Sequence, residues 1–240
     1  MNDVAPSSVG LRRFELLGGL AQDELDDLAR RCAWRAHRTG QCIVAKDSRE
    51  RSVYLVVAGC VRVTTYSREG RQTTFRDVRA GDYFGDLSAI DGGPRSADVF
   101  AIEPTLLASM SPDVFWGLLR EKPGMAAFAL QRMSGLVRSL SERVVDMSTL
   151  DVRGRLNAEI LRLAQAGKTE GNRAIIDPAP KHMDLASKIS TAREEITRGI
   201  SALTRSGLLA RHGSAWVIND VTGLAQLVQR ASPASRGSLS

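Results

Sequence analysis

The segment from Phe84 to Ala97 combines side chains that together could bind an anionic sugar phosphate. Arg95 offers a planar charged fork, and Ser96 beside it offers a hydroxyl donor. Gly85 lets the backbone approach a ligand closely, and a short helical turn after it would point N–H groups at the same anion. Asp86 can accept two hydrogen bonds, which suits a ribose. The candidate ligand-binding residues here are Phe84, Gly85, Asp86, Leu87, Ser88, Arg95 and Ser96.

A second group of polar side chains would share one face of a helix. At about 100° per residue, Arg193, Glu194 and Arg198 lie on one side of such a helix. An arginine can donate two hydrogen bonds to guanine and a glutamate can accept from cytosine, so this face could recognise base edges in a major groove. Another side would carry an apolar stripe, formed by Ile196, Ile200 and Leu203. The candidate DNA-binding residues are Thr191, Arg193, Glu194, Thr197 and Arg198.

More ordinary interpretations compete with both sites. An arginine that follows a proline is usually a solvated loop residue, so Arg95 gains weight only from its combination with its neighbours. The charged face that begins at Arg193 could equally be a solvated surface held by ion pairs. Thr191 and Glu194 also fit a capping box, which would occupy Glu194 locally and remove it from base recognition.

Short strands are predicted to position the first site. From Thr39 to Phe100 the glycines recur at turn-like intervals between stretches rich in β-branched and aromatic residues. The run 53–57 is apolar throughout, and residues 61–66 alternate, which places Thr64 on the solvated face of a strand. This pattern predicts a sandwich or barrel. Short helices are predicted to flank it over 21–31 and 111–120.

A long helix after Pro123 is predicted to carry a heptad seam. Apolar side chains recur with alternating spacings of four and three residues from Ala126 to Met147, a period of about 3.5 residues that is typical of two helices packed side by side. The alternative is one amphipathic helix packed on its own domain. The seam favours a homodimer, and its predicted interface residues are Leu130, Met133, Val137, Leu140, Val144 and Met147.

Residues 151–231 are predicted to form helices followed by a two-stranded wing. The pattern predicts a helix over 152–166, a turn over 167–172, a short strand at 174–176, two helices across 183–205 and a hairpin around Gly213. This order is that of a winged helix-turn-helix. The predicted domains are therefore 1–122, 123–150 and 151–231, followed by a flexible tail over 232–240.

Composition and charge restrict the class of protein. The 240 residues are 43% hydrophobic and 25% charged, no window matches a membrane span, and the N-terminus lacks a secretory pattern. Residues 151–240 hold 13 Lys and Arg against 8 Asp and Glu, which favours a polyanionic partner for this part of the chain. Cys32, Cys42 and Cys60 show no CxxC spacing, so a cytoplasmic protein with reduced thiols is expected.

The remaining reactive residues suggest neither a catalytic nor a metal site. His37, His182 and His212 are scattered and lack partners at metal-ligand spacing. The sequence contains neither a Gly-x-Ser-x-Gly elbow nor a Walker loop. We therefore expect no enzyme activity and no metal, haem or iron–sulfur cofactor.

In its order of elements and in three blocks of residues, the chain resembles the CRP/FNR family of bacterial transcription regulators, named for the cyclic-AMP receptor protein and the fumarate–nitrate regulator. The likeness runs from about Leu11 to Ile218, and its blocks are 84–97, 150–155 and 183–198. The resemblance implies an α+β fold. An N-terminal jelly-roll-like β-roll would bind a cyclic nucleotide, a long helix would dimerise, and a C-terminal winged helix-turn-helix would bind DNA.

The resemblance also assigns roles to single residues. It implies that Arg95 and Ser96 hold the cyclic phosphate and that Gly85 and Asp86 lie at the ribose. The family's usual glutamate is replaced by Asp86, which is one methylene shorter but keeps the same chemistry. In the DNA-binding part, it implies that Arg193, Glu194 and Arg198 recognise a TGTGA-type half-site.

The identity of the base is left open by one departure from the family. Counting back from the hinge at 150–155, the adenine-contacting pair falls on Leu140 and Ser141. Ser141 matches, but Leu140 replaces a threonine and cannot accept a hydrogen bond from the exocyclic amine of adenine. The ligand is therefore expected to be cyclic AMP, with cyclic GMP as the alternative.

The sequence thus predicts a cytoplasmic, homodimeric regulator that binds a cyclic nucleotide and a pseudo-palindromic double-stranded DNA operator. The resemblance adds RNA polymerase as a partner, and no membrane contact is expected. The nucleotide would shift the population between two arrangements of the dimer. Two alternatives stay open, namely a ligand-independent member with a vestigial nucleotide segment and a cyclic-nucleotide-binding regulatory subunit of an enzyme.

Overall fold

The structure, a computed structural model, describes residues 2–68, 70 and 72–231. The chain divides into two compact units, residues 1–136 and 137–240, and the boundary lies within one long helix. Each unit has a hydrophobic core of its own. The tail predicted over 232–240 lies outside the described residues.

The order of elements confirms the predicted α+β class. The helices are α1 (Ser8–Leu11), α2 (Gln22–Arg31), α3 (Asp86–Asp91), α4 (Pro112–Glu121), α5 (Pro123–Thr149), α6 (Val152–Ala166), α7 (His182–Lys188), α8 (Arg193–Arg205) and α9 (Val221–Ala231), with a 3-10 turn over Glu15–Leu17. The strands are β1 (Asn2–Asp3), β2 (Ala33–His37), β3 (Cys42–Val44), β4 (Val53–Ala58), β5 (Cys60–Tyr66), β6 (Gln72–Arg79), β7 (Tyr83–Phe84), β8 (Asp98–Ala101), β9 (Thr105–Met110), β10 (Lys168–Glu170), β11 (Arg173–Ile176), β12 (Leu209–His212) and β13 (Ala215–Ile218).

The first unit is the predicted β-roll, built from two antiparallel sheets. Their strand orders are β1-β2-β9-β4-β7 and β3-β8-β5-β6. The apolar run predicted as a strand is β4, and its Val53, Leu55 and Val56 are fully buried. Strand β4 pairs with β9 on one side and β7 on the other, so it lies inside its sheet. A strand in this position is buried on both faces, which explains why its apolar run is not interrupted.

The prediction for residues 61–66 is wrong at Thr64. This residue, expected on the solvated face, is fully buried, and its Oγ1 donates to the Thr73 carbonyl oxygen at 2.8 Å. The register of β5 against β6 shifts between Val63 and Thr64. Such a β-bulge changes which residues face the core, and the pattern of one strand alone does not reveal it.

The short helices predicted beside the sheets are confirmed. Helix α4 begins after Ser111, whose Oγ accepts a hydrogen bond from the Val114 N–H at 3.3 Å. Helix α2 begins after Ala21, whose N–H donates to the Glu24 carboxylate at 2.8 Å. These contacts satisfy backbone and side-chain groups that would otherwise lack partners at the start of a helix.

The second unit is the predicted winged helix-turn-helix, with sheet order β10-β11-β13-β12. Helix α6 has the predicted bounds, and Asp151 caps it by accepting from the Gly154 N–H at 2.8 Å. The prediction of a turn over 167–172 is wrong in part, because Lys168–Glu170 forms β10. All three residues of β10 are exposed, so the strand has no apolar signal. Helix α9, after the wing, is absent from the prediction.

The predicted heptad seam runs along α5 and faces solvent. Leu130, Val137 and Val144 are 66%, 63% and 63% exposed, and Leu140 and Met147 are 45% and 49% exposed. Met133, the sixth predicted interface residue, is half-buried. The described chain thus leaves most of this face uncovered, which favours the seam over the alternative of a helix packed on its own domain. Neither α5 nor any other helix in the described part of the chain is long and apolar enough to span a membrane.

Candidate ligand site and DNA-contacting surface

The turn between β7 and α3 requires glycine at position 85. Gly85 precedes α3 with φ of +90°, a conformation that side chains other than glycine rarely adopt. A Cβ atom built there would lie 2.6 Å from Arg95 Nη1 and 2.6 Å from the Ser52 carbonyl oxygen. The close approach predicted from the sequence is therefore present, and it brings the backbone against the guanidinium.

Arg95 is buried at the centre of this segment, with 4% of its surface exposed. Its Nη1 donates to the Gly85 carbonyl oxygen at 2.9 Å, and its Nη2 donates to the Ser52 carbonyl oxygen. Its Nε donates to Glu50 Oε2 at 3.2 Å, and Nη2 also contacts that oxygen. The guanidinium carbon lies 5.7 Å from the centroid of the Tyr54 ring. Arg95 is thus held in one orientation by groups from two stretches of the chain, residues 50–54 and the Gly85 turn.

Glu50 is a member of the site that the sequence analysis missed. Burial disfavours its charged form, but hydrogen bonds from Arg95 and Ser52 outweigh that effect and hold the pKa of Glu50 below its ordinary value. It therefore carries a negative charge at neutral pH. Glu50 lies far from the segment 84–97 in sequence, so no spacing motif could have identified it.

Asp86 is also buried, with 5% of its surface exposed. Arg132 from α5 contacts it, with Nη1 at 3.4 Å from Asp86 Oδ2. The same guanidinium donates to Asp82 Oδ1 and to the Tyr83 carbonyl oxygen, each at 2.6 Å. It lies 3.9 Å from the centroid of the Tyr83 ring, and burial raises the pKa of the Tyr83 hydroxyl to about 12. Arg132 is a second site residue that the sequence analysis missed.

The other predicted residues of the segment divide between core and surface. Phe84 is buried and stacks on Tyr54, with ring centroids 4.9 Å apart. Ser88 is buried in α3. Leu87 is 48% exposed, and Ser96 is also exposed. The Ser96 hydroxyl is therefore accessible to a ligand from solvent.

Leu140 and Ser141, predicted to contact the base, belong to the second unit. Both are exposed on α5. The Ser141 Oγ donates to the Val137 carbonyl oxygen at 2.9 Å, so its proton is used within the helix and its lone pairs stay available. A role of either residue in base recognition stays a prediction.

Helix α8 presents the predicted DNA-binding face to solvent. Arg193, Glu194, Thr197 and Arg198 are all exposed, and Thr191, just before the helix, is half-buried. The apolar stripe is confirmed, because Ile196 and Ile200 are fully buried and Leu203 is 6% exposed. The helix begins after Ala192, so the alternative of a Thr191–Glu194 capping box is wrong. Glu194 in the first turn is left facing solvent.

His182, at the start of α7, joins this surface although the sequence analysis gave it no role. Its Nδ1 lies 2.9 Å from the Thr197 Oγ1, which also donates to the Arg193 carbonyl oxygen at 3.2 Å. Burial, Arg211 and Arg193 all lower the pKa of His182. Thr197 is therefore positioned by a neighbouring helix rather than free to rotate.

The turn between α7 and α8 contains Ser190 with φ of +54°. This is the left-handed region, which a non-glycine residue occupies at a cost. Glycine adopts this conformation without a steric cost, whereas Ser190 bears that cost. The helix-turn-helix geometry therefore overrides the local preference of the residue.

The described residues include no group of three His, Cys, Asp or Glu side chains that converge on a metal-sized site. The three cysteines are free thiols, two of them buried.

Each of the two units contains a region that matches a known family of domains. Residues 34–122 match the cyclic nucleotide-binding domain, and residues 154–227 match the Crp-like helix-turn-helix domain. The first match contains the whole segment 84–97, and the second contains α7, α8 and the wing. The second match also sets aside the alternative of a regulatory subunit of an enzyme.

Individual relatives cover most of the chain. It is 28% identical to the cyclic AMP receptor protein of Thermus thermophilus. The alignment of 199 residues covers 81% of this chain and 87% of that protein. It is 23% identical over 188 residues to a CRP-like cAMP-activated global transcriptional regulator of Mycobacterium tuberculosis, over 78% of this chain and 84% of that protein. A solved structure of a CooA mutant from Carboxydothermus hydrogenoformans, 18% identical, shares the fold with a TM-score of 0.77 over 89% of this chain and 94% of that one.

The two matched domains stand in the order that the sequence predicts, on either side of the long helix α5. Relatives such as the Mycobacterium tuberculosis protein are named as transcriptional regulators, and none of the names cited is that of an enzyme. The chain therefore belongs to the CRP/FNR family of transcription regulators.

Proposed function

We propose that this chain is a homodimeric transcription regulator that responds to a cyclic nucleotide, cyclic AMP first, and binds a pseudo-palindromic operator with TGTGA-type half-sites. The observation that carries the proposal is the buried Arg95 beside the Gly85 turn. A guanidinium held in this way offers strong, oriented hydrogen bonds to a phosphate diester. The protein acts in the cytoplasm, where its DNA lies, with RNA polymerase as a partner expected from its family.

In the proposed ligand site, different residues bind the phosphate, the ribose and the base of the nucleotide. Arg95 supplies the positive charge and Ser96 a hydroxyl for the cyclic phosphate. Asp86 accepts from the ribose hydroxyls, and Arg132 fixes the orientation of its carboxylate. The names of two relatives refer to cyclic AMP, which supports cyclic AMP as the first candidate ligand. Leu140 offers no acceptor to the adenine amine, so cyclic GMP is the alternative.

The exposed seam on α5 supports the proposed homodimer. Its side chains recur with the spacing of a two-stranded coiled coil, and five of them are at least 45% exposed. A continuous apolar stripe of this length on a surface marks an interaction site. A second copy of the same helix provides the matching stripe.

The exposed face of α8 supports the proposed recognition of DNA. Arg193 and Arg198 can each donate to guanine, and Glu194 can accept from cytosine. Arg198 is paired with Glu195 on its own helix, an exposed contact that costs little to exchange for a base. A twofold dimer would present two such helices to half-sites about one turn of DNA apart.

The proposed mechanism is a shift between two populations of the dimer. Cyclic nucleotide can bias the equilibrium only through its different affinity for the two arrangements. A tight ligand without such a preference would leave DNA binding unchanged.

Calorimetric titration with cyclic AMP and cyclic GMP, side by side, tests the ligand. The proposal predicts saturable binding of at least one nucleotide to the wild type and loss of that binding in Arg95→Ala. The ligand assignment is contradicted if neither nucleotide binds, or if Arg95→Ala binds as tightly as the wild type.

A further inference from the structure

The charged side chains in and around the ligand segment form ion pairs with one another. Arg95 pairs with Glu50, and Arg132 pairs with both Asp82 and Asp86. Arg76 adds a third cation, with its Nη1 at 3.6 Å from Asp82 Oδ2. In these ion pairs, three guanidinium groups face three carboxylates. The segment therefore offers no net positive charge to an incoming anion.

The hydrogen-bond donors of Arg95 are almost fully used. A guanidinium has five N–H donors in a fixed planar arrangement. The described acceptors are the Gly85 carbonyl oxygen, the Ser52 carbonyl oxygen and Glu50 Oε2, which together take the Nε proton, one Nη1 proton and both Nη2 protons. One Nη1 proton is left for any further acceptor.

The three acceptors differ in how readily they can leave. The two carbonyl groups belong to the backbone, one at Ser52 directly before β4 and one in the Gly85 turn, so neither can turn away without moving the main chain. Glu50 is a side chain in the loop 45–52, and it is 40% exposed, whereas the Arg95 side chain is 4% exposed. The carboxylate is the one acceptor of the three that can turn into water without moving the backbone.

The loop around Glu50 is anchored independently of the carboxylate. The Asp47 N–H donates to the Arg95 carbonyl oxygen at 2.9 Å, and the Arg95 N–H donates to the Ser48 carbonyl oxygen at 3.0 Å. Loss of the Glu50–Arg95 contact would therefore leave both the loop and the arginine in place. When it turns into solvent, the carboxylate would also release the Ser52 N–H, from which its Oε1 accepts at 2.6 Å.

We propose that Glu50 is an internal anion that competes with the cyclic phosphate for Arg95 and so sets the affinity for the nucleotide. The inference rests on the proposed ligand function. A phosphate diester and the Glu50 carboxylate carry like charges, and both cannot occupy the same donors of one guanidinium. Binding of the nucleotide displaces the carboxylate into solvent, while the Gly85 and Ser52 carbonyl groups keep Arg95 oriented for the phosphate.

The test is the affinity of the full-length Glu50→Gln variant, measured calorimetrically with cyclic AMP and cyclic GMP. Glutamine keeps the size of the side chain and its carbonyl acceptor but removes the charge. We expect this variant to bind nucleotide at least about tenfold more tightly than the wild type. Tenfold corresponds to the difference in strength between a charge-assisted and a neutral hydrogen bond. Glu50→Ala, which cannot reach Arg95, should tighten binding in the same direction.

The matched control is Glu121→Gln, which makes the same charge change at an exposed residue at the end of α4. Its affinity should lie within about twofold of the wild type, because an exposed charge is screened by solvent and salt. Thermal unfolding of each variant confirms that it is folded.

Two results would overturn the competition, and they can be told apart. If the wild type binds nucleotide and both Glu50 variants bind equally or more weakly, Glu50 positions Arg95 instead of competing for it, while the ligand function stands. If neither the wild type nor any Glu50 variant binds either nucleotide, the ligand function itself is wrong and the competition is wrong with it.

Discussion

Arg132, from the long helix α5, contacts the buried carboxylate of Asp86 with Nη1 at 3.4 Å from Oδ2. The same helix carries the exposed seam, so one element holds both a residue that contacts the ligand segment and the proposed dimer interface. Within the first unit, Arg132 links the ligand segment to α5 through a non-covalent ion pair. This ion pair also makes Arg132 the residue whose removal should affect both stability and ligand binding.

Arg132→Met should destabilise the protein and weaken nucleotide binding. The substitution keeps an apolar stem but removes the guanidinium that faces Asp86 and Asp82. Breaking a buried pair from one side leaves an uncompensated charge, so we expect a loss of about 3 kcal/mol in unfolding free energy. Urea unfolding measures it. The control is Arg138→Met, on the exposed surface of the same helix, which should change the unfolding free energy by less than about 0.5 kcal/mol. Equal losses in the two variants would contradict the role of Arg132.

Gly85→Ala should lower the unfolding free energy by at least about 2 kcal/mol, because φ of +90° strains any side chain and the new Cβ would meet Arg95. Gly135→Ala is the matched control in α5, where a Cβ meets nothing within 4 Å. That substitution should raise stability by up to about 1 kcal/mol, because alanine favours a helix. Thermal or urea unfolding of the pair decides the point, and an unchanged Gly85→Ala would show that the turn is not constrained.

Val137→Glu should dissociate the proposed dimer. Val137 is 63% exposed within one chain, and a seam would bring its charge against the same charge of a partner. Gln131→Glu adds an equal charge on the far side of α5 and should leave the dimer intact. Sedimentation equilibrium of both variants gives the mass directly. A wild type that is monomeric, or a Val137→Glu variant that stays dimeric, would contradict the seam.

Arg193→Ala should cost about 1–3 kcal/mol in binding to a TGTGA duplex and should relax the preference for that sequence. The reason is that Arg193 lies exposed at the first position of α8, where a side chain reaches base edges. Arg230→Ala, on α9, is the control. Fluorescence anisotropy with specific and random duplexes separates base recognition from phosphate contact, since equal losses on both would refute a role in base recognition.

The stability of the second unit should depend on the protonation of His182. Because its pKa is lowered in the folded protein, the unfolded chain binds the proton more readily. The stabilisation is present at neutral pH and is lost as the pH falls through the ordinary value of about 6.5. Between about pH 7.5 and about pH 5.5, the wild type should therefore lose more unfolding free energy than His182→Gln does. His212→Gln should follow the wild type; identical pH profiles of the wild type and His182→Gln would contradict the prediction.

Local patterns were sufficient for the elements and for much of the two sites. The Gly85 turn, the cap at Ser111 and the buried stripe on α8 all follow from residues close together in sequence, so periodicity and capping rules predict them. Thr64 was predicted on the wrong face because a bulge depends on the neighbouring strand. Strand β10 lacked any apolar signal.

The residues that sequence analysis missed make contacts between distant segments. Glu50 meets Arg95 from another loop, Arg132 meets Asp86 from a different helix, and His182 meets Thr197 across the helix-turn-helix. Each is a common polar residue without a local motif. Their roles arise only when the chain folds, so a single sequence contains no spacing that would reveal them.

The central claim is that a nucleotide held by Arg95 controls DNA binding, and operator affinity with and without nucleotide tests it most directly. Fluorescence anisotropy with a palindromic TGTGA duplex should show at least about tenfold tighter binding by the wild type when cyclic nucleotide is added, a shift of about 1.4 kcal/mol. Arg95→Ala should remain dimeric and show no response. A wild type that binds equally with and without nucleotide, or an Arg95→Ala variant that responds fully, would contradict the account.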